Sequence, residues 1–160
     1  MTTTAVRTPR SALLRRGGDV MSERFKVSPA QDGLPPRRED ACRVGVMRRI
    51  AAARLRYCGL ESMADDVMLI VSELLTNALQ HSSTTEISLS ITVEDGALSV
   101  RVRDGMPGTC TAQHPKDTAE WGRGLLLVDA LTKGSGGDWG TEDAGAETWC
   151  SLPVPEEGQP

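Results

Sequence analysis

The chain has 160 residues, 39% of them hydrophobic, which suits one domain with a single core; its 18 basic and 22 acidic residues leave a net charge of −4. That balance gives no electrostatic case for a nucleic-acid or membrane-surface partner, and one Phe, one Tyr and three Trp are too few for the aromatic platforms that bind single strands. No window approaches the roughly eighteen apolar residues of a membrane span, so the expected location is the cytoplasm.

Residues 1–22 carry Arg7, Arg10, Arg15 and Arg16 against Asp19 with no usable period, and are expected to form a disordered arm. Met21 stands just ahead of the strand-like run "RFKV", so a start there is a hypothesis that mass spectrometry of the natively made protein would settle. Next, "PRREDACRVGVMRRIAAARLRYCG" places Val44, Met47, Ile50, Ala51 and Leu55 at helical spacing with Arg on the other face, and Gly59 suits a C-terminal cap. A second helix is expected from about Ala64 to His81, with Asp65 and Asp66 in the first turn, where the dipole favours anions.

"EISLSITVEDGALSVRVRD" then alternates Ile87, Leu89, Ile91 and Val93, turns at Asp95 and Gly96, and alternates again through Leu98, Val100 and Val102, which reads as a hairpin. A loop is expected from Gly105 to Trp121, followed by the helix "GRGLLLVDALT", a Gly-rich turn, and two short strands around Trp139 and "AETWCSL". The prolines of "PVPEEGQP" should end regular structure, so residues 154–160 are expected to form a disordered tail after an ordered domain at 23–153. Helices before antiparallel strands predict an α+β two-layer sandwich with helices on one face of the sheet. Cys42, Cys58, Cys110 and Cys150 contain no C-x-x-C pair, which argues for reduced, structural thiols rather than a zinc site.

Three features carry chemistry. On the second helix Val67, Ile70, Val71, Leu74 and Ala78 form one face, while Glu73, Asn77 and His81 gather roughly 100° or more away at four-residue steps. Asp104 ends a strand and is followed by "GMPG", where a fixed carboxylate can accept a hydrogen bond from a ligand amine. Gly122 and Gly124 open an apolar helix whose free N–H groups suit phosphate. Each alone has a plain structural explanation: a solvated helix edge, an Asp closing a turn, or glycines opening a helix for steric reasons.

The order of the three resembles the GHKL (Bergerat-fold) ATPases, the histidine-kinase-like ATP-binding domain, and within them the small stand-alone anti-sigma factor serine/threonine kinases of bacteria. The match covers about residues 24–152, and "SELLTNALQHS" is its most specific piece. The resemblance implies the Bergerat fold, a mostly antiparallel mixed sheet covered on one face by helices, with ATP and Mg²⁺ as cofactors. It implies Asn77 as the Mg²⁺ ligand, Glu73 as the general base, and Asp104 as the acceptor of the adenine amino group. Gly108 would let the nucleotide pass closely, Gly122 and Gly124 with Arg123 and Leu125 would cradle it, and Thr148 would lie near adenine. Residues 109–121 would be the ATP lid, and His81 would make a structural contact.

Two positions depart from the family pattern. "DGMPG" has Met106 where D-x-G-x-G has its middle glycine, and "GAETWC" has Ala146 and Glu147 where G-[KT]-x-V-W is usual. The function implied is phosphorylation of a Ser or Thr on an antagonist protein coupled to sequestration of a sigma factor, with a homodimer common in that family. The alternative is a nucleotide-responsive protein-binding module without phosphotransfer.

Overall fold

We describe residues 18–29, 34–81, 85–104 and 119–155 from a computed structural model; the side chains of residues 81, 119–124 and 144 lie outside the description. Gly108 and most of the expected lid, residues 109–118, fall outside it as well.

Strand β1 (Gly18–Lys26) is followed by helices α1 (Arg38–Tyr57) and α2 (Ala64–His81), the hairpin β2 (Glu86–Glu94) and β3 (Ala97–Arg103), helix α3 (Ala119–Gly134), and strands β4 (Asp138–Glu142) and β5 (Glu147–Pro153). Among the described residues five strands form one sheet in the order β1-β2-β3-β5-β4, and each of its four ladders is antiparallel. The hairpin turns where expected: Asp95 and Gly96 both take positive φ, 50° and 77°, the backbone that a two-residue turn needs to match the strand twist.

Alternation along the strands decides which face is covered. Leu89 pairs with Val102, Ile91 with Val100 and Val93 with Leu98, and Val100 and Leu98 pair onward with Cys150 and Leu152. All of these are buried, whereas Ser88, Ser90, Thr92, Ser99, Arg101 and Arg103 on the other face are half-buried. The helices therefore lie on one face, giving the expected α+β sandwich. Within their layer α2 is central: it packs against α1, α3 and β3, while α1 meets β1 and α3 meets β4 and β5.

Helix α1 ends in a Schellman motif. Gly59 at φ 80° donates its N–H to the Arg56 carbonyl at 3.0 Å, and Leu60 donates to Leu55 at 2.7 Å, with Leu55 and Leu60 both buried. At its start, buried Asp40 accepts the Ser28 backbone N–H at 3.0 Å and fastens the helix to the end of β1.

The ends of the fold extend further than the composition suggests. Strand β1 begins at Gly18, so residues 18–22 belong to the sheet rather than to an arm, and Met21 is buried within it; a bulge between Asp19 and Met21 masks the period. At the other end Pro153 closes β5 opposite Ala97, beyond the last residue paired with β4, and the Val154 N–H bonds the Gly96 carbonyl at 2.8 Å. A proline is tolerated there because no ladder donor is required of it. Cys150 lies in the core, where burial pushes its thiol up to about 12, but Cys42 is exposed and fills no structural role of that kind.

Candidate functional site

The connections determine which residues can meet. Helix α2 runs to His81 and the chain re-enters the sheet at Glu86, so the C-terminal turns of α2 lie at the edge where β2 begins. Ser88 pairs with Arg103 and Arg103 with Glu147, so the same edge holds the end of β3 and the start of β5. Helix α3 leads into β4, whose first residue pairs with Ser151 toward the far edge, so the N-terminus of α3 returns to the first edge. Four elements that carry the expected chemistry therefore converge.

On α2 the core face is wider than the sequence period suggests. Leu75 and Leu79 are buried beside Val67, Ile70, Val71 and Leu74, because the helix is flanked on both sides. Glu73 and Asn77 consequently sit half-buried at the margin of the core face, and the side chain of His81 is outside the description. The direction of that margin follows from Ser72, whose hydroxyl accepts from the Arg48 guanidinium of α1 at 3.4 Å. At about 100° per residue Asn77 lies about 140° around the helix from Ser72, which turns it from α1 toward the α3 flank.

Asp104 continues β3 by one more bond, its N–H donating to the Ala146 carbonyl at 3.0 Å, and it is 6% exposed. Thr148 stands opposite Val102, so strand alternation puts Thr148 and Asp104 on the helix-covered side of adjacent strands. A fixed carboxylate beside a half-buried hydroxyl is a suitable reader of a hydrogen-bonding ligand edge.

The glycine pair differs from expectation. Helix α3 begins at Ala119, so Gly122 and Gly124 fall inside its first two turns, with Arg123 between them, instead of leading into it. Residues 119–121, counted with the lid, are helical, which suits the strong propensity of Ala and Glu. The amides left free at such a terminus are those up to its third residue, so Gly122 and Gly124 would both donate within the ladder. Leu125 is buried, and so anchors α3 to the core.

Several neighbours were not foreseen. Arg103 bonds Asp143 at 2.6 Å, and this carboxylate raises the guanidinium above its ordinary pKa. Asp129 on α3 accepts the Trp139 indole N–H at 2.8 Å and Lys133 at 3.0 Å, and these two donors hold its carboxyl below the ordinary range. The Arg103–Asp143 pair depends on strand register and the Trp139–Asp129 bond on how the helix folds back onto β4, whereas Asp129 and Lys133 are neighbours four residues apart on one helix. A cleft of about 280 Å³ opens at the far edge, lined by Ser62, Met63, Asp66, Ser135 and the segment from Leu152 to Pro155. None of the expected residues lines it, and its single carboxylate and proline wall offer no comparable chemistry.

Among the described residues no group of three His, Cys, Asp or Glu side chains could hold a metal by itself. A hard cation at this edge would need oxygens from a ligand in addition to the Asn77 amide, which is how Mg²⁺ is held with phosphates. No described helix is long and apolar enough to cross a membrane.

A helix-on-sheet sandwich with a half-buried Glu and Asn on its central helix and a buried strand-end Asp at the same edge fits a nucleotide-binding class of the histidine-kinase type. The model of the histidine kinase-like ATPase domain matches residues 37–149, well over half of the chain, and the protein belongs to that family. It is also similar to the "sensor histidine kinase component HK1" of Mycobacterium tuberculosis H37Rv, at 35% identity over 106 residues that take in 57% of this chain and 62% of the relative. A "probable sensor histidine kinase HK" of M. tuberculosis CDC 1551 matches at 35% identity over 106 residues, 57% of this chain and 28% of the relative. The chain thus spans less than two thirds of either relative. Family membership supports ATP binding and ATP-dependent kinase or ATPase chemistry.

Proposed function

We propose that the protein binds Mg·ATP at the convergent edge and phosphorylates a Ser or Thr of an antagonist protein, regulating transcription by sequestering a sigma factor in the manner of anti-sigma factor kinases. The observation that carries this reading is the gathering at one edge of the Glu73/Asn77 margin, buried Asp104, Thr148 and the N-terminus of α3. In this scheme Asp104 accepts the adenine amino group and Asn77 offers its amide oxygen to Mg²⁺. The ion, when bound, neutralises charge on the phosphates. Glu73 takes the proton of the attacking hydroxyl as its oxygen bonds the γ-phosphorus and the bond to ADP breaks.

A second reading places the acceptor on a histidine of a separate protein. It is favoured by the likeness to a relative named as a component of a sensor histidine kinase. A third, a nucleotide-responsive binding module without phosphotransfer, draws on Met106, Ala146 and Glu147, since errors near 1 Å cost roughly two orders of magnitude in rate.

Isothermal titration with ATP and GTP, each with and without Mg²⁺, is the test. Binding of ATP alone, tightened by Mg²⁺, is expected; no binding at millimolar nucleotide overturns the reading. Transferred phosphate that survives acid would favour a hydroxyl acceptor over a histidine.

A further inference from the structure

Arg103 immediately precedes Asp104, and strand alternation turns it to the open face of the sheet. There its Nη1 donates to Asp143 Oδ2 at 2.6 Å. Asp143 opens a 3-10 turn, Asp143–Gly145, that joins β4 to β5, and it does so at φ 53°, a left-handed backbone that residues other than glycine seldom take. The Asp143 carbonyl accepts the Ala146 N–H at 3.1 Å, and the Ala146 carbonyl accepts the Asp104 N–H at 3.0 Å. These links close a ring that runs from the Arg103 side chain through the turn and back to the Asp104 amide. Arg101 supports the same turn, standing 3.5 Å from Glu142 and 3.4 Å from Glu147 on the strands that flank it.

We propose that Arg103 is a positioning residue for base selection: its pair with Asp143 holds the turn that aims the Asp104 carboxylate and places Thr148 beside it. This rests on the ATP reading above. Selectivity for adenine depends on the direction of one carboxylate, and hydrogen bonds weaken steeply off axis. With Arg103 and Asp143 at 42% and 54% exposure, the pair contributes little to global stability. Its effect belongs in ligand discrimination rather than in melting.

The test titrates the full chain and its R103Q, R103K and D143N variants with ATP and with GTP, alongside thermal melts. R103Q and D143N should lower the ATP-over-GTP affinity ratio about tenfold with Tm unchanged, while R103K, which keeps a charged donor, should retain most of it. An unchanged ratio in both R103Q and D143N overturns the proposal. If R103Q melts early, D143N decides, because Asn tolerates the left-handed backbone. Failure of the unaltered chain to prefer ATP removes the nucleotide reading itself and this inference with it, an outcome visible before any variant is made.

Discussion

The two edges of the sandwich are built by different rules. The far edge is closed by short connections whose chemistry is local: the Asp95–Gly96 turn, the Gly59 cap, and the tight passage at Gly137, whose N–H bonds the Thr132 carbonyl at 2.7 Å. The near edge gathers the ends of three elements that carry Glu73 and Asn77, Asp104, and Thr148, an arrangement that depends on the whole topology. One edge specifies the fold and the other carries the polar groups, so stability and ligand chemistry should separate under mutation.

That separation can be broken or sharpened in four ways. The largest effect is expected from Glu73→Gln, which should keep ATP binding and Tm but slow phosphotransfer by roughly 10²–10⁴, read by single-turnover assay; equal turnover removes Glu73 from the role of base. Asn77→Ala should weaken Mg·ATP binding by about a hundredfold in calorimetry and leave the melt nearly unchanged, because the residue sits at the margin of the core. A large fall in Tm would instead make Asn77 a structural residue.

At the far edge Gly137→Ala would bring a Cβ to 2.0 Å from the Ser151 carbonyl oxygen. It should cost about 2 kcal/mol in urea unfolding while sparing nucleotide affinity. The smallest effect is expected from Gly96→Ala, where the neighbourhood is open but φ is 77°, and strain of about 1 kcal/mol should appear. A change in ATP affinity in either glycine variant would couple the two edges and defeat the comparison.

Local rules made much of the fold legible. Helix α2 runs over Ala64–His81 as its period indicates, and the hairpin follows from two alternating runs around Asp-Gly. What escaped the sequence depends on neighbours. The burial of Leu75 and Leu79 requires α1 and α3 on both flanks, and the start of β1 at Gly18 hides behind a bulge and a polar outer face. The start of α3 at Ala119 was obscured because glycines inside the first two turns look like glycines ahead of the helix. Of the candidate site, Glu73, Asn77 and Asp104 were readable as residue types in order, and Thr148 only through the family resemblance. The Arg103–Asp143 pair was not, because it joins positions 40 apart through the β3–β5 register.

The strand order has a consequence for how the chain is made. β5 is the fifth strand in sequence yet lies inside the sheet, between β3 and β4. During synthesis β2 and β3 can pair as soon as they emerge, but β3 keeps an open edge, and β4 has no partner until β5 appears. The nascent chain thus carries unpaired backbone donors and acceptors along a strand whose other face is strongly apolar, the condition under which strands find wrong partners. A chain stalled before Glu147 should be the most aggregation-prone intermediate, and arrival of β5 should join the sheet and complete the ligand edge in the same step.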